Sequence, residues 1–185
     1  MRPLTLPRPS ADESAPFYHR YIEKVPGEQI GEYLAAQPGE LERLLGSLDD
    51  AAARFRYAPD KWSVKQVLGH LCDGERIFSY RLLRIARADA TPLPGFDENA
   101  FVPAAEFDAR PLADLVREFQ TIRASTITLV EGLPSVAWER RGKASDKSIS
   151  TRALAYIMVG HVTHHLGVLR DRYRLSSRPD ALAAV

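Results

Sequence analysis

The sequence predicts an all-α fold, a four-helix bundle, on three observations. Four long segments repeat apolar residues with a period near 3.6, no stretch alternates convincingly as a strand, and a Ser-Val-Lys-Gln signature at Ser63 marks a helix start. At 185 residues the chain suits one domain with a full-sized core, divided into an N-terminal arm (1–26), the bundle (27–175) and a C-terminal tail (176–185).

The arm carries five prolines and little periodicity, which reads as extended chain packed through Phe17, Tyr18 and Tyr21. From Glu28 to Leu48, Ile30, Tyr33, Leu34, Leu41, Leu44, Leu45 and Leu48 suit a first long helix, which Pro38 must interrupt or kink. The second runs from Ser63 to about Arg87, with Val67, His70/Leu71, Gly74, Ile77/Phe78, Arg81 and Ile85 facing inward. Residues 88–110 read as a long irregular connection, a length more typical of functional loops and one that lets the flanking helices run parallel. Pro111 suits the first turn of the third helix, which ends near Gly132 to Pro134. Residues 135–149 read as a polar connection, after which Ser148 or Ser150 caps a helix from about Thr151 to Tyr173.

Composition excludes several classes. Twenty-five Lys and Arg against 24 Asp and Glu leave a formal charge of +1, which offers no global attraction to nucleic acid or an anionic membrane surface. The single cysteine, Cys72, rules out an internal disulfide framework and fits a reducing compartment. With neither a long apolar run nor a signal-peptide core, the expectation is a cytoplasmic protein.

The last helix carries the chemistry. In YIMVGHVTHHLGVL, His161 and His165 lie one turn apart on the stripe of Leu154, Met158 and Val168, where aliphatic residues belong. A buried imidazole needs partners for both ring nitrogens, and two at i and i+4 present nitrogens to one point, as a metal requires. His164 offers a rival i, i+3 pairing with His161, but it lies about 100° from His165. The better stripe therefore favours His165, leaving His164 to contact a ligand imidazole, a helix or the substrate. His70 occupies an inward position on the second helix, and facing helices of a bundle can bring the three together. Three imidazoles without a fourth protein ligand keep positions open, a catalytic rather than structural character.

Other polar residues read two ways. Asp73, three after His70, either orients a ligand imidazole or metal-bound water, or is a solvent-facing helix carboxylate. Arg81 and Arg123 bind an anion or form a salt bridge, and for Arg81 the salt bridge is favoured. Tyr80, Asp97 and Asn99 serve substrate recognition, or packing and loop capping.

The segment KWSVKQVLGHLCDGERIFSYRLLRIARAD, followed by LPGFDENAFV, a third helix with Arg123, and ALAYIMVGHVTHHLGVLRDRY resembles the DinB-like superfamily in its YfiT-like branch, over residues 20–174. The resemblance implies a bundle of up-down-down-up topology. It also implies a divalent metal, nickel or zinc, held in an open cleft by histidines matching His70, His161 and His165. Relatives include thiol S-transferases using bacillithiol or mycothiol, a thiol-dependent isomerase, and proteins assigned only as metal-dependent hydrolases. The expected function is a low-molecular-weight-thiol S-transferase of the bacillithiol type acting on electrophiles. A metal-bound thiol or water would be its nucleophile, with no catalytic side chain assigned. The alternatives are a metal-dependent hydrolase and a non-catalytic, stress-related metal-binding protein. Expected partners are a small thiol, an electrophile and a second copy in a homodimer.

Overall fold

The computed structural model describes residues 4–176, and within them the chain forms α1 (Pro16–Ile22), α2 (Ile30–Leu45), α3 (Asp50–Ala53), α4 (Val64–Ala86), α5 (Glu98–Ala104), α6 (Leu112–Glu131), the strands β1 (Arg141–Ala144) and β2 (Lys147–Ser150), and α7 (Thr151–Asp171). No helix among the described residues is long and apolar enough to cross a membrane.

The long helices α2, α4, α6 and α7 form the bundle, with α2 and α4 each packed against both α6 and α7. Side-chain pairs give the directions. Gln37 and Glu42 of α2 meet Arg123 and Gln120 of α6, so those two run antiparallel. Cys72 and Glu75 of α4 meet Leu115 and Arg123 of α6, so that pair is parallel. Trp62, just before α4, meets Tyr173 after α7 while His70 meets His161, which is antiparallel. Up-down-down-up follows, and the long connection ahead of α6 is what permits it.

Local signals set the helix starts. Ser63 accepts from the Gln66 amide while the Gln66 side chain accepts from the Ser63 amide, both at 3.1 Å, the reciprocal box that its sequence foretold. Ser150 rather than Ser148 caps α7, its Oγ accepting from the Ala153 amide at 2.9 Å.

Three expectations are corrected, and one of two alternatives at Pro38 falls. The arm is not extended throughout. It folds into α1, with Tyr21 and Ile22 buried, and it is tied to α7 where Tyr156 donates to the Leu6 carbonyl at 2.7 Å and Ser150 donates to buried Glu13 at 2.7 Å. Of the two alternatives at Pro38, interruption is excluded, since α2 runs from Ile30 to Leu45 with the proline inside it. The loss is confined to one backbone donor, and burial of Leu34, Leu41 and Leu44 on both sides outweighs it. The connection at 88–110 contains α5, started by Asp97, whose carboxylate accepts from the Asn99 amide at 2.9 Å. The polar stretch at 135–149 holds a β-hairpin in register Arg141↔Ser150. Its turn residues Ser145 and Asp146 both have positive φ, 51° and 60°, as a two-residue type I′ turn requires.

The core falls into two apolar layers with a polar belt between them. One layer holds Ile30 and Leu34, Phe78 and Leu82, Val130, and the first half of α7. The other holds Leu41 and Leu44, Val67 and Leu71, Leu115 and Phe119, and the second half of α7. Between them each long helix contributes buried polar groups: Gln37, then His70 and Glu75, then Arg123, then His161 and His165. Arg123, fully buried, donates to Glu75 Oε2 at 2.9 Å and to Gln37 Oε1 at 2.8 Å, and its Nε stands 2.8 Å from Glu75 Oε1 as an ion pair without hydrogen-bond geometry. Gln37 Nε2 then donates to the Val159 carbonyl at 2.8 Å and to Thr163 Oγ1 at 3.1 Å, either side of His161.

Candidate metal centre

α4 and α7 cross where their histidines lie, and Gly74 makes the close approach possible. A Cβ there would stand 2.9 Å from His161 Cε1. His70, His161 and His165 are all buried, and one ligand nitrogen from each lies within 4.8 Å of the other two. The Nε2 atoms of His70 and His161 are 2.9 Å apart, so one donates and the other accepts. His165 Nδ1 is buried with no hydrogen-bond partner.

Burial pushes the His70 pKa down to about 4, with His164 adding to the shift. His161 falls well below the ordinary histidine value, first through burial and then through His165, His70, His164 and Arg123. Burial also dominates at His165, aided by His70, His164 and Arg20. All three rings are therefore neutral at pH 7 and keep a lone pair for an ion. Nitrogens bound to one zinc-sized ion at about 2.1 Å each stand roughly 3 Å apart, as these two do. The orphaned His165 nitrogen, the neutral imidazoles and the close spacing fit a divalent transition metal. The same cluster could not accept a proton without burying an unpaired charge.

Aromatic rings hold the imidazoles in place. Trp62 packs on His70 with ring centroids 4.8 Å apart, and Tyr21 and Phe78 meet His161 edge-on at 5.3 and 5.5 Å. Two cavities reach the cluster. One, of about 320 Å³, touches His70 and His161 and has walls from α1, Phe78, Phe96 and the hairpin turn. The other, of about 280 Å³, touches His164 and His165 and is walled by Tyr57, Trp62, Asn99 and Tyr173.

The structure sorts the remaining candidates. His164 is half-buried, one wall of the smaller cavity, edge-on to Tyr21 at 5.5 Å, and its imidazole is not part of the three-nitrogen cluster. Asp73 makes no hydrogen bond to a histidine among the described residues; its carboxylate lies half-buried, 4.0 Å from Arg76 Nη1. Tyr80 is exposed and accepts from Arg84, outside both cavities. Asp97 is the helix cap described above, while Asn99 faces the smaller cavity.

Arg81 forms no salt bridge among the described residues, contrary to expectation. Its buried guanidinium donates to the Pro94 carbonyl at 2.8 Å, Ser145 Oγ at 3.1 Å and Tyr18 Oη at 3.4 Å, joining the loop, the hairpin turn and α1 around the larger cavity. Arg123 takes the salt-bridge reading. Its partners Gln37 and Glu75 went unnoticed in the sequence because a lone polar residue on an apolar stripe has no readable partner until the helices are assembled.

A bundle with a buried cluster of three neutral histidines is a helical scaffold able to hold a metal ion. The chain belongs to the DinB superfamily, whose model matches residues 33–169. It is similar to a protein of Bacillus pumilus (strain SAFR-032) named "Putative metal-dependent hydrolase", at 23% identity over 141 residues, 75% of this chain and 79% of that one. Its fold matches the solved structure of YfiT from Bacillus subtilis, described as "a probable metal-dependent hydrolase with an unusual four-helix bundle topology". That match has a TM-score of 0.70 at 17% identity, covering 91% of this chain and 92% of that chain.

Proposed function

We propose that this chain is a metal-dependent S-transferase that joins a low-molecular-weight thiol of the bacillithiol type to an electrophile, with His70, His161 and His165 holding nickel or zinc. The carrying observation is that two separate cavities reach one cluster of three neutral imidazoles. A hydrolase needs room for one substrate and a water, whereas a two-substrate transfer needs two approaches to the same point. A divalent ion held there would supply Lewis acidity that lowers the pKa of a thiol or water beside it toward neutrality.

The chain's own residues do the rest. Neutral histidines leave the ion's charge uncompensated, Trp62, Tyr21 and Phe78 exclude water from the imidazole faces, and the Gln37 amide holds α7 around His161. In the transfer, the thiol proton leaves to solvent, a sulfur lone pair forms the S–C bond, and the leaving group departs with the electrons of the bond that breaks.

The names of the relatives favour hydrolysis as the second reading. The test is metal analysis of the purified protein, followed by incubation of metal-loaded protein with L-cysteine, glutathione, bacillithiol and mycothiol against monochlorobimane, and with ester and amide substrates. About one ion per chain and thiol conjugation lost in His161→Ala support the transferase. Conjugation that survives His161→Ala refutes the metal role. Turnover of esters or amides alone establishes the hydrolase, and inactivity throughout leaves a metal-binding protein.

A further inference from the structure

The two cavities differ in chemistry as well as position. The larger has five aromatic walls, Phe17, Tyr18, Tyr21, Phe78 and Phe96, and its only charged lining residues, Glu98 and Lys147, are opposite in sign. Those two charges cancel, and Arg20 and Arg81 already stack on the Phe17 and Phe96 rings at 3.9 and 5.7 Å, so the cavity adds no net charge to draw an ion and its remaining ring surface offers stacking to a planar molecule. A planar, uncharged molecule gains most there, and the volume suits a small one. The smaller cavity is lined by Asp60, Lys61, Asn99, His164, Tyr57 and Tyr173 beside apolar Trp62, Val67 and Val168. Lys61 pairs with Asp60 at 2.6 Å and Tyr173 donates to the Trp62 carbonyl, which leaves Tyr57, Asn99 and His164 as its polar side chains, outside the histidine cluster, without a side-chain hydrogen bond among the described residues.

The two linings share no residue, yet both end on the histidine cluster. Consecutive residues at the start of α5 separate them, with Phe96 and Glu98 on the aromatic cavity and Asn99 on the polar one. Arg81 ties two aromatic-side walls, Tyr18 and Ser145, to the Pro94 carbonyl just ahead of Phe96.

We propose that the cavities divide the substrates, the aromatic one taking a planar, uncharged carbon electrophile and the polar one taking the thiol, with the start of α5 as the partition. This rests on the S-transferase reading for which ligand is the thiol, but the aromatic assignment can be tested without turnover.

The test pairs two obstructing variants, Ala15→Trp in the aromatic cavity and Asn99→Trp in the polar one, with Phe96→Ala as a milder change should Ala15→Trp fail to fold. Binding of unreactive parent bimane is measured by titration calorimetry on metal-loaded and metal-free protein. KM values for monochlorobimane and for the thiol are measured separately. The expected result is bimane affinity weakened roughly tenfold by Ala15→Trp or Phe96→Ala and unchanged by Asn99→Trp, with the thiol KM responding in the opposite pattern. Bimane binding that weakens in Asn99→Trp but not in the aromatic-side variants overturns the assignment. So does a pattern in which both ligands respond equally to one variant. If no thiol is conjugated, the transferase reading fails by itself, while selective loss of bimane binding on the aromatic side still supports that cavity's assignment.

Discussion

Arg123→Met tests the polar belt most directly. Arg123 is 0% exposed and Glu75 only 2%, so removing the guanidinium leaves a carboxylate in the core without its counter-charge and Gln37 Oε1 without a donor. Breaking a buried pair in this way costs about 3–5 kcal/mol, and at about 2–4 °C per kcal/mol for a chain of this size the melting temperature should fall by roughly 6–20 °C. The pair is weak evidence for stability as such, because both ions are desolvated to form it. Adding Glu75→Leu to Arg123→Met removes the orphaned charge and should recover about 2–3 kcal/mol, leaving mainly the unpaired Gln37. Urea unfolding of metal-free protein measures this as a shift in midpoint at constant slope. Even the recovered double variant should bind metal more weakly, since Gln37 loses its anchor and with it the hold on Val159 and Thr163 around His161. An Arg123→Met protein within about 1 kcal/mol of wild type, or a double variant as unstable as the two single losses summed, would refute this account of the belt.

Acid should act through the histidines. Their folded pKa values lie below the ordinary 6.5, so the unfolded chain binds protons first and stability, complete above about pH 6.5, falls as the pH drops toward 4. His70 alone accounts for roughly 3 kcal/mol of this, and urea midpoints of metal-free protein should fall less steeply over that interval in His70→Leu; equal slopes would contradict it. Cys72 is buried, donates weakly to the Leu115 carbonyl at 3.7 Å and has its pKa raised by burial, so Ellman's reagent should label it only after unfolding. Rapid labelling of the native protein would show a reactive thiol instead. At Gly160 a Cβ would stand 2.0 Å from the Tyr21 carbonyl, so Gly160→Ala should push α1 off α7 and speed tryptic cleavage at Arg20 or Lys24 about tenfold. Cleavage at the wild-type rate would mean that the arm does not depend on this contact.

Amino-acid order alone determined the four long helices, because each carries a 3.6-residue apolar repeat and local caps such as Ser63 act within one turn. It also determined the three histidines, since an imidazole on an aliphatic stripe is anomalous before any neighbour is known. The hairpin was hidden because Ala-Ser-Asp-Lys lacks the glycine that usually marks a type I′ turn, and its strands are only four residues each. Helix α1 was hidden because seven residues cannot hold a helix without the surface of α7, and Gly160 becomes a docking point only when Tyr21 arrives there. Tertiary structure alone decided that Arg123 pairs with Glu75 while Arg81 pairs with no carboxylate among the described residues, and that two unlike cavities meet at one cluster. Helical periodicity is written in neighbours a few residues apart. The partners of a buried charge and the walls of a cavity come from segments well over a hundred residues apart, as Glu13 with Arg152 and Ala15 with His161 are, and only packing brings them together.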